Sequence, residues 1–149
     1  MEPGRWIIGP AGVLVASVVH VKRGEPDRVV LDAGMNVLLR PALYDAWHAI
    51  QPLRQAPAAG QFDVVGPVCE STDVLGRGRH LPFLAPGDRV AIMDVGAYGF
   101  SLASTYNGRP RPAEVAVHGD RWWVIRQRET YPDLVEGTSI LPEMLAHDE

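Results

Sequence analysis

The chain has 149 residues, a formal net charge of −4 and 46% hydrophobic residues, a globular composition with enough apolar side chains for a core. The acidic balance argues against nucleic acid as the main partner, because phosphate binding needs a basic surface, and no apolar run is long enough to span a bilayer. Met1-Glu2-Pro3-Gly4-Arg5 lacks the order of a secretory signal and one cysteine makes no intrachain disulfide, so a cytoplasmic location is expected.

Fifteen glycines and thirteen prolines predict many turns and few long helices, which favours β structure. Glu2 to Arg5 reads as a turn opening on Trp6-Ile7-Ile8, which Gly9-Pro10 breaks. Val13 to Lys22 reads as a strand with Val13, Val15, Ser17, Val19 and Val21 on one side. A charged turn over 23–27 leads to a second strand over 28–32. Met35 to Ala46 shows no clean helical stripe and Pro41 suits no helix interior, so a short helix or loop is expected there. Strands are expected over 47–53 and 62–69, and another starts at Asp73. Gly76-Arg77-Gly78-Arg79 reads as a turn, and Pro86-Gly87-Asp88 introduces a strand over 89–95. One helical turn is expected over 101–106. Two apolar runs, 114–118 and 121–126, surround Gly119-Asp120 as the best hairpin in the chain. A short helix over 130–137 and a frayed tail from about Pro142 complete the reading. Seven or eight short strands with turns between them predict a mainly β protein, a sandwich or barrel with short helices.

The only cysteine lies in Gly66-Pro67-Val68-Cys69-Glu70-Ser71, delivered by the apolar run Phe62 to Val65. A lone cysteine is most often a small buried hydrophobe; a thiol beside a carboxylate at the end of an apolar strand also suits a proton donor and ligand clamp. Arg40 and Tyr44, four apart, share one face of a helical turn. Arginine grips a carboxylate through two parallel hydrogen bonds and tyrosine can add a third, although alone such a pair is more often a solvated arginine beside a packing ring. Tyr98 lies between glycines that permit close approach of a ligand. Glu2-Pro3-Gly4-Arg5 is either a plain turn or, with backbone donors and an arginine, a phosphate-binding segment. The histidines at 20, 48, 80, 118 and 147 have no metal-ligand spacing, so no metal site is expected, and His20, His48 and His118 read as surface or packing residues.

Several segments occur together and in order: Glu2-Pro3-Gly4-Arg5, Val30-Leu31-Asp32-Ala33-Gly34-Met35-Asn36, Arg40-Pro41-Ala42-Leu43-Tyr44-Asp45-Ala46, Asp63-Val64-Val65-Gly66-Pro67-Val68-Cys69-Glu70-Ser71, Gly96-Ala97-Tyr98 and Tyr106-Asn107-Gly108-Arg109-Pro110-Arg111-Pro112-Ala113-Glu114-Val115. With this set the chain resembles the C-terminal portion of the diaminopimelate decarboxylases, up to about Thr130. The resemblance implies a pyridoxal-phosphate enzyme of the alanine-racemase-like class, with an N-terminal (β/α)₈ barrel and a C-terminal β domain. Such an enzyme converts meso-2,6-diaminopimelate to L-lysine and carbon dioxide in lysine synthesis. It further implies that Glu2 faces the pyridine nitrogen of pyridoxal 5'-phosphate, that Gly4 and Arg5 lie at its phosphate, and that Arg5 also reaches substrate. Arg40, Tyr44 and Glu70 would read the distal end of the substrate, Arg40 on the carboxylate and Glu70 on the ammonium. Cys69 would be the catalytic proton donor, and Tyr98 would contact cofactor and substrate. Glu70 after the cysteine matches the diaminopimelate branch, where the related basic amino-acid decarboxylases carry Asp.

The barrel and its Schiff-base lysine have no counterpart in this sequence. Lys22 is its only lysine and reads as a surface residue. The expectation is that the chain alone is inactive. Residues 1–8 would be a remnant of the last barrel strand, with an exposed apolar edge at Trp6, Ile7 and Ile8, and 9–149 a single β domain. The resemblance implies a site at a dimer interface, so a homodimer or a barrel-bearing chain is the expected partner. The alternatives are a non-catalytic β module that binds or modulates a full-length decarboxylase, and a fragment of a related basic amino-acid or carboxynorspermidine decarboxylase.

Overall fold

A computed structural model describes residues 3–140. Six strands form one sheet: β1 (Leu14–Lys22), β2 (Asp27–Leu31), β3 (Ile50–Pro52), β4 (Gly60–Val65), β5 (Val74–Leu81) and β6 (Arg89–Ile92), in the order β3-β6-β1-β2-β4-β5. Neighbours are antiparallel except β2 and β4, which run parallel with Val29 opposite Val64. The outermost strands of that order, β3 and β5, touch. The sheet is therefore curled into a nearly closed, barrel-like form, which leaves little free edge. Its interior is filled by Val18, Val29, Leu31, Leu38, Phe62 and Val64 with Leu75, Leu81, Val90 and Ile92, all essentially solvent-free. Each such side chain contributes about 1.5–3 kcal/mol by leaving water.

The inward face of β1 is the opposite of the one its valines suggest. Ala16 and Val18 point into the core, whereas Val13, Val15 and Val19 stay about half exposed. A register shift between Val18 and His20 in the pairing with β2 then changes parity, so that Val21 packs on the core. The segment Gly76-Arg77-Gly78-Arg79 is likewise no turn but lies within β5. The ladder with β4 is irregular between Phe62 and Val64, and Asp63 fills the gap by accepting a hydrogen bond from Gly78 N at 2.9 Å, with the Arg77 guanidinium 3.7 Å away. The glycines therefore mark a bulge, which a strand accommodates through just such residues.

The strands are shorter than their apolar runs. The run 62–69 is extended only as far as Val65, and 89–95 only as far as Ile92. Two short helices belong to the same part of the chain. In α2 (Arg40–Tyr44) Pro41 occupies the first turn, where its missing N–H costs nothing. Pro3–Ile8 forms α1, helical where an extended segment is expected from sequence, with Pro3 at its start. Trp6, Ile7 and Ile8 are 81%, 69% and 51% exposed, so the apolar exposure foreseen at these residues is present, on a helix and not on a strand edge.

The contacts gather the chain into two compact units, divided between Asn107 and Gly108, where the sequence reading takes 9–149 as one domain. The second unit is built on the hairpin foreseen at Gly119-Asp120, with β7 (Glu114–His118) and β8 (Arg121–Arg126), and Gly119 in the left-handed region at φ 62. Arg111 grips Glu129 through its backbone N–H at 2.8 Å and Nε at 2.7 Å as well as a terminal guanidinium nitrogen. A third helix, α3 (Tyr131–Val135), starts from a capping box of Thr130 and Asp133. The tail expected to fray lies outside the described residues. Among those described, no helix is long and apolar enough to cross a membrane.

Candidate active site

The loop that carries the thiol leaves β4 at Val65 and returns to the sheet at Val74. Val68 anchors it in the interior, while Cys69 is exposed. Gly66 N donates to the Asp73 carbonyl at 3.0 Å, and Asp73 N donates to the Glu70 carbonyl at 3.1 Å, closing the loop on itself. Glu70 Oε1 accepts from Thr72 N at 3.4 Å and Ser71 Oγ at 3.2 Å. These donors, the Thr72 amide first, hold its carboxyl below the usual glutamate range, so it is a carboxylate at neutral pH.

Arg40 opens α2 and is only 9% exposed. Its guanidinium carbon lies 6.0 Å from the ring of Tyr44 and 6.0 Å from the ring of Tyr98, at the outer limit of a cation–π contact. The four-residue spacing that put Arg40 and Tyr44 on one face holds, and Tyr98 joins them from a distant part of the chain. Tyr98 is half exposed and has φ 57, a left-handed backbone that costs a non-glycine residue roughly 1–3 kcal/mol. Gly99 beside it packs on the Val95 carbonyl with no room for a Cβ, which fixes the turn that presents the ring.

Arg5 lies on α1 and shares with Arg40 a cavity of about 770 Å³, whose walls include Trp6, Trp47 and His48. Gly4 is exposed on the same helix. Glu2 lies outside the described residues. Lys22 is exposed at the last position of β1, opposite Arg28.

Two buried residues complete this region: His48, read from sequence as a surface or packing residue, and Asp73, which sequence reasoning misses. His48 is a buried residue of the cavity wall; its Nδ1–H donates to the Met93 carbonyl at 2.8 Å, which fixes the tautomer and leaves Nε2 an acceptor without a partner among the described residues. Asp73 is buried four residues after the thiol, and its carboxylate accepts from Met35 N at 2.6 Å and Val68 N at 2.7 Å. Nothing in the sequence pattern marks it, because Met35 comes from another loop.

Comparison with known proteins gives these side chains a context. A family model described as pyridoxal-dependent decarboxylase, C-terminal sheet domain, matches residues 6–96. The chain is 51% identical over 147 residues to a diaminopimelate decarboxylase of Archaeoglobus fulgidus, covering 97% of this chain and 35% of that protein. Among solved structures, the diaminopimelate decarboxylase of M. jannaschii in complex with L-lysine superposes with a TM-score of 0.90 at 41% identity, over 93% of this chain and 32% of that one. The Helicobacter pylori enzyme with L-lysine gives 0.83 at 47% identity, over 88% and 32%. The chain thus spans about a third of the length of the relatives it matches.

Proposed function

We propose a function on one premise: the chain belongs to the pyridoxal-dependent decarboxylase family, whose C-terminal sheet domain it matches. In this reading it is the substrate-reading and proton-donating part of a diaminopimelate decarboxylase, completed by a barrel that carries the cofactor lysine. The observation that carries it is Arg40, buried, with its guanidinium carbon 6.0 Å from the rings of both Tyr44 and Tyr98. A buried arginine with two tyrosines beside its guanidinium suits recognition of a carboxylate.

Diaminopimelate has an ammonium and a carboxylate at each end. Arg40 takes the distal carboxylate, with Tyr44 adding a hydrogen bond. Glu70, ionised at neutral pH, takes the distal ammonium. A substrate lacking that second charged pair would leave Arg40 and Glu70 unpaired, which penalises it. Pyridoxal phosphate suits the neighbouring wall: Arg5 and Arg40 line one cavity with Asp94, so two cations stand there against one acid. Gly4 and Arg5 hold that phosphate, Glu2 the ring nitrogen, and Tyr98 contacts cofactor and substrate. The bound cofactor supplies the electron sink for loss of carbon dioxide. Decarboxylation needs no base to remove a proton, but it needs an acid to return one. Exposed Cys69 gives the proton on its Sγ to the carbon that carbon dioxide has left.

With Lys22 as its only lysine, exposed at a strand end, the chain alone has no group placed to hold the cofactor covalently. A second copy of the complete enzyme, or a separate barrel-bearing chain, supplies the remaining wall. The test is a graft: this chain replaces the C-terminal third of the Archaeoglobus relative. The hybrid is expected to release carbon dioxide from diaminopimelate, and Arg40→Ala to lower kcat/KM roughly 100-fold, the cost of unpairing a buried charge. The isolated chain with added cofactor is expected to release none. Turnover by the isolated chain, or a hybrid indifferent to Arg40, would overturn the reading.

A further inference from the structure

We infer that Asp73 is a positioning residue: its carboxylate sets the place of the Cys69 loop relative to the segment that carries Arg40 and Tyr44. The inference rests on the roles proposed above for those side chains. Because β2 and β4 are parallel neighbours, the chain leaves both at the same end of the sheet. The first exit, at Gly34 and Met35, runs through a turn closed by Val37 N and Leu38 N on the Gly34 carbonyl, and reaches Arg40 two residues later. The second exit, at Gly66 to Val68, runs into Cys69 and Glu70.

Asp73 stands between these exits, 3% exposed, with one carboxylate oxygen on each: Oδ1 on Met35 N at 2.6 Å, Oδ2 on Val68 N at 2.7 Å. Short bonds from two amides to one buried carboxylate are charge-assisted and fix direction as well as distance. Both exits are stripped to admit it. A Cβ on Gly34 would lie 2.6 Å from both Asp73 oxygens and 2.9 Å from Pro67 Cδ. One on Gly66 would run into the same oxygens and Gly34 Cα. Neither glycine is needed for a positive φ, so closeness to this carboxylate is what excludes a larger residue.

An asparagine at 73 keeps the shape but can accept from only one of the two amides and presents N–H to the other. Amide hydrogen exchange and the rate of Cys69 alkylation by iodoacetamide, both on the intact chain, test the inference without cofactor or substrate. In Asp73→Asn the protection of the Met35 and Val68 amides is expected to fall about tenfold or more while that of Val29 and Val64 is unchanged. Cys69 is expected to alkylate at a rate several-fold different from wild type at the same pH. Unchanged Met35 and Val68 protection with an unchanged thiol rate overturns the inference. Parallel loss at Val29 and Val64 overturns it too, because Asp73 would then be only a stabilising residue. Should Asp73→Asn not fold, Gly34→Ala displaces the same carboxylate and must give the same local pattern; a wild-type pattern there overturns the inference. Failure of the hybrid enzyme to release carbon dioxide would instead sink the functional reading and leave these two readouts standing.

Discussion

Tyr98 carries the clearest sign of strain among the residues around Arg40. Its backbone at φ 57 is one a glycine would adopt freely, yet a half-exposed tyrosine occupies it. Tyr98→Gly is therefore expected to be more stable than Tyr98→Ala by about 1 kcal/mol in urea unfolding, the cost of left-handed backbone for a residue with a Cβ. In the hybrid enzyme both variants are expected to lose activity together, which separates the strain from the role of the ring. A second residue-scale expectation concerns acid. Hydrogen bonds from Arg111, side chain first and then backbone, hold the Glu129 carboxyl below its ordinary value. The folded state then binds fewer protons than the unfolded one, so stability rises with pH in the acid range. What this pair contributes is fully present above the carboxyl's unfolded pKa and fades as pH falls through its lower folded value. Glu129→Gln is expected to flatten the acid side of a plot of Tm against pH, and an unaltered slope would count against the pair.

At the scale of elements, the core of the curled sheet depends on matched inward residues from β2 and β4. Leu31→Ala, which empties a fully buried site, is expected to cost about 2–5 kcal/mol by chemical denaturation, against well under 1 kcal/mol for Val19→Ala on the exposed side of β1. A sequence reading that turns Val19 inward on β1 would make the second change costly as well. The difference shows what is legible locally. The hairpin at Gly119-Asp120 is readable because turn and strands are contiguous, and so is the Arg40–Tyr44 pair, because helical spacing alone sets it. The parity of β1 is not, since it depends on a bulge made with β2. Gly76 and Gly78 read as a turn because the bulge they serve is completed by Asp63 on another strand. Asp73 is invisible for the same reason: its partner Met35 lies 38 positions away.

At the scale of the molecule, several large apolar side chains stand exposed on the outer faces. Trp6 and Ile7 on α1 and Val13, Val15 and Val19 around β1 are all close to half exposed or more. Sedimentation of the isolated chain is expected to show concentration-dependent association, and Trp6→Glu with Ile7→Lys to reduce it; a monomer at all concentrations would contradict this. The parallel pairing of β2 and β4 has a consequence in time. Antiparallel β1 and β2 meet across a short turn, but β2 meets β4 only after the whole stretch with Arg40, Tyr44 and His48 has been looped out, a slower closure. During refolding, then, the arginine and the thiol should gain a fixed relation late and together, when that closure brings Asp73 within reach of both exits. A chain stalled before that step would hold every group it offers the proposed site and no geometry between them.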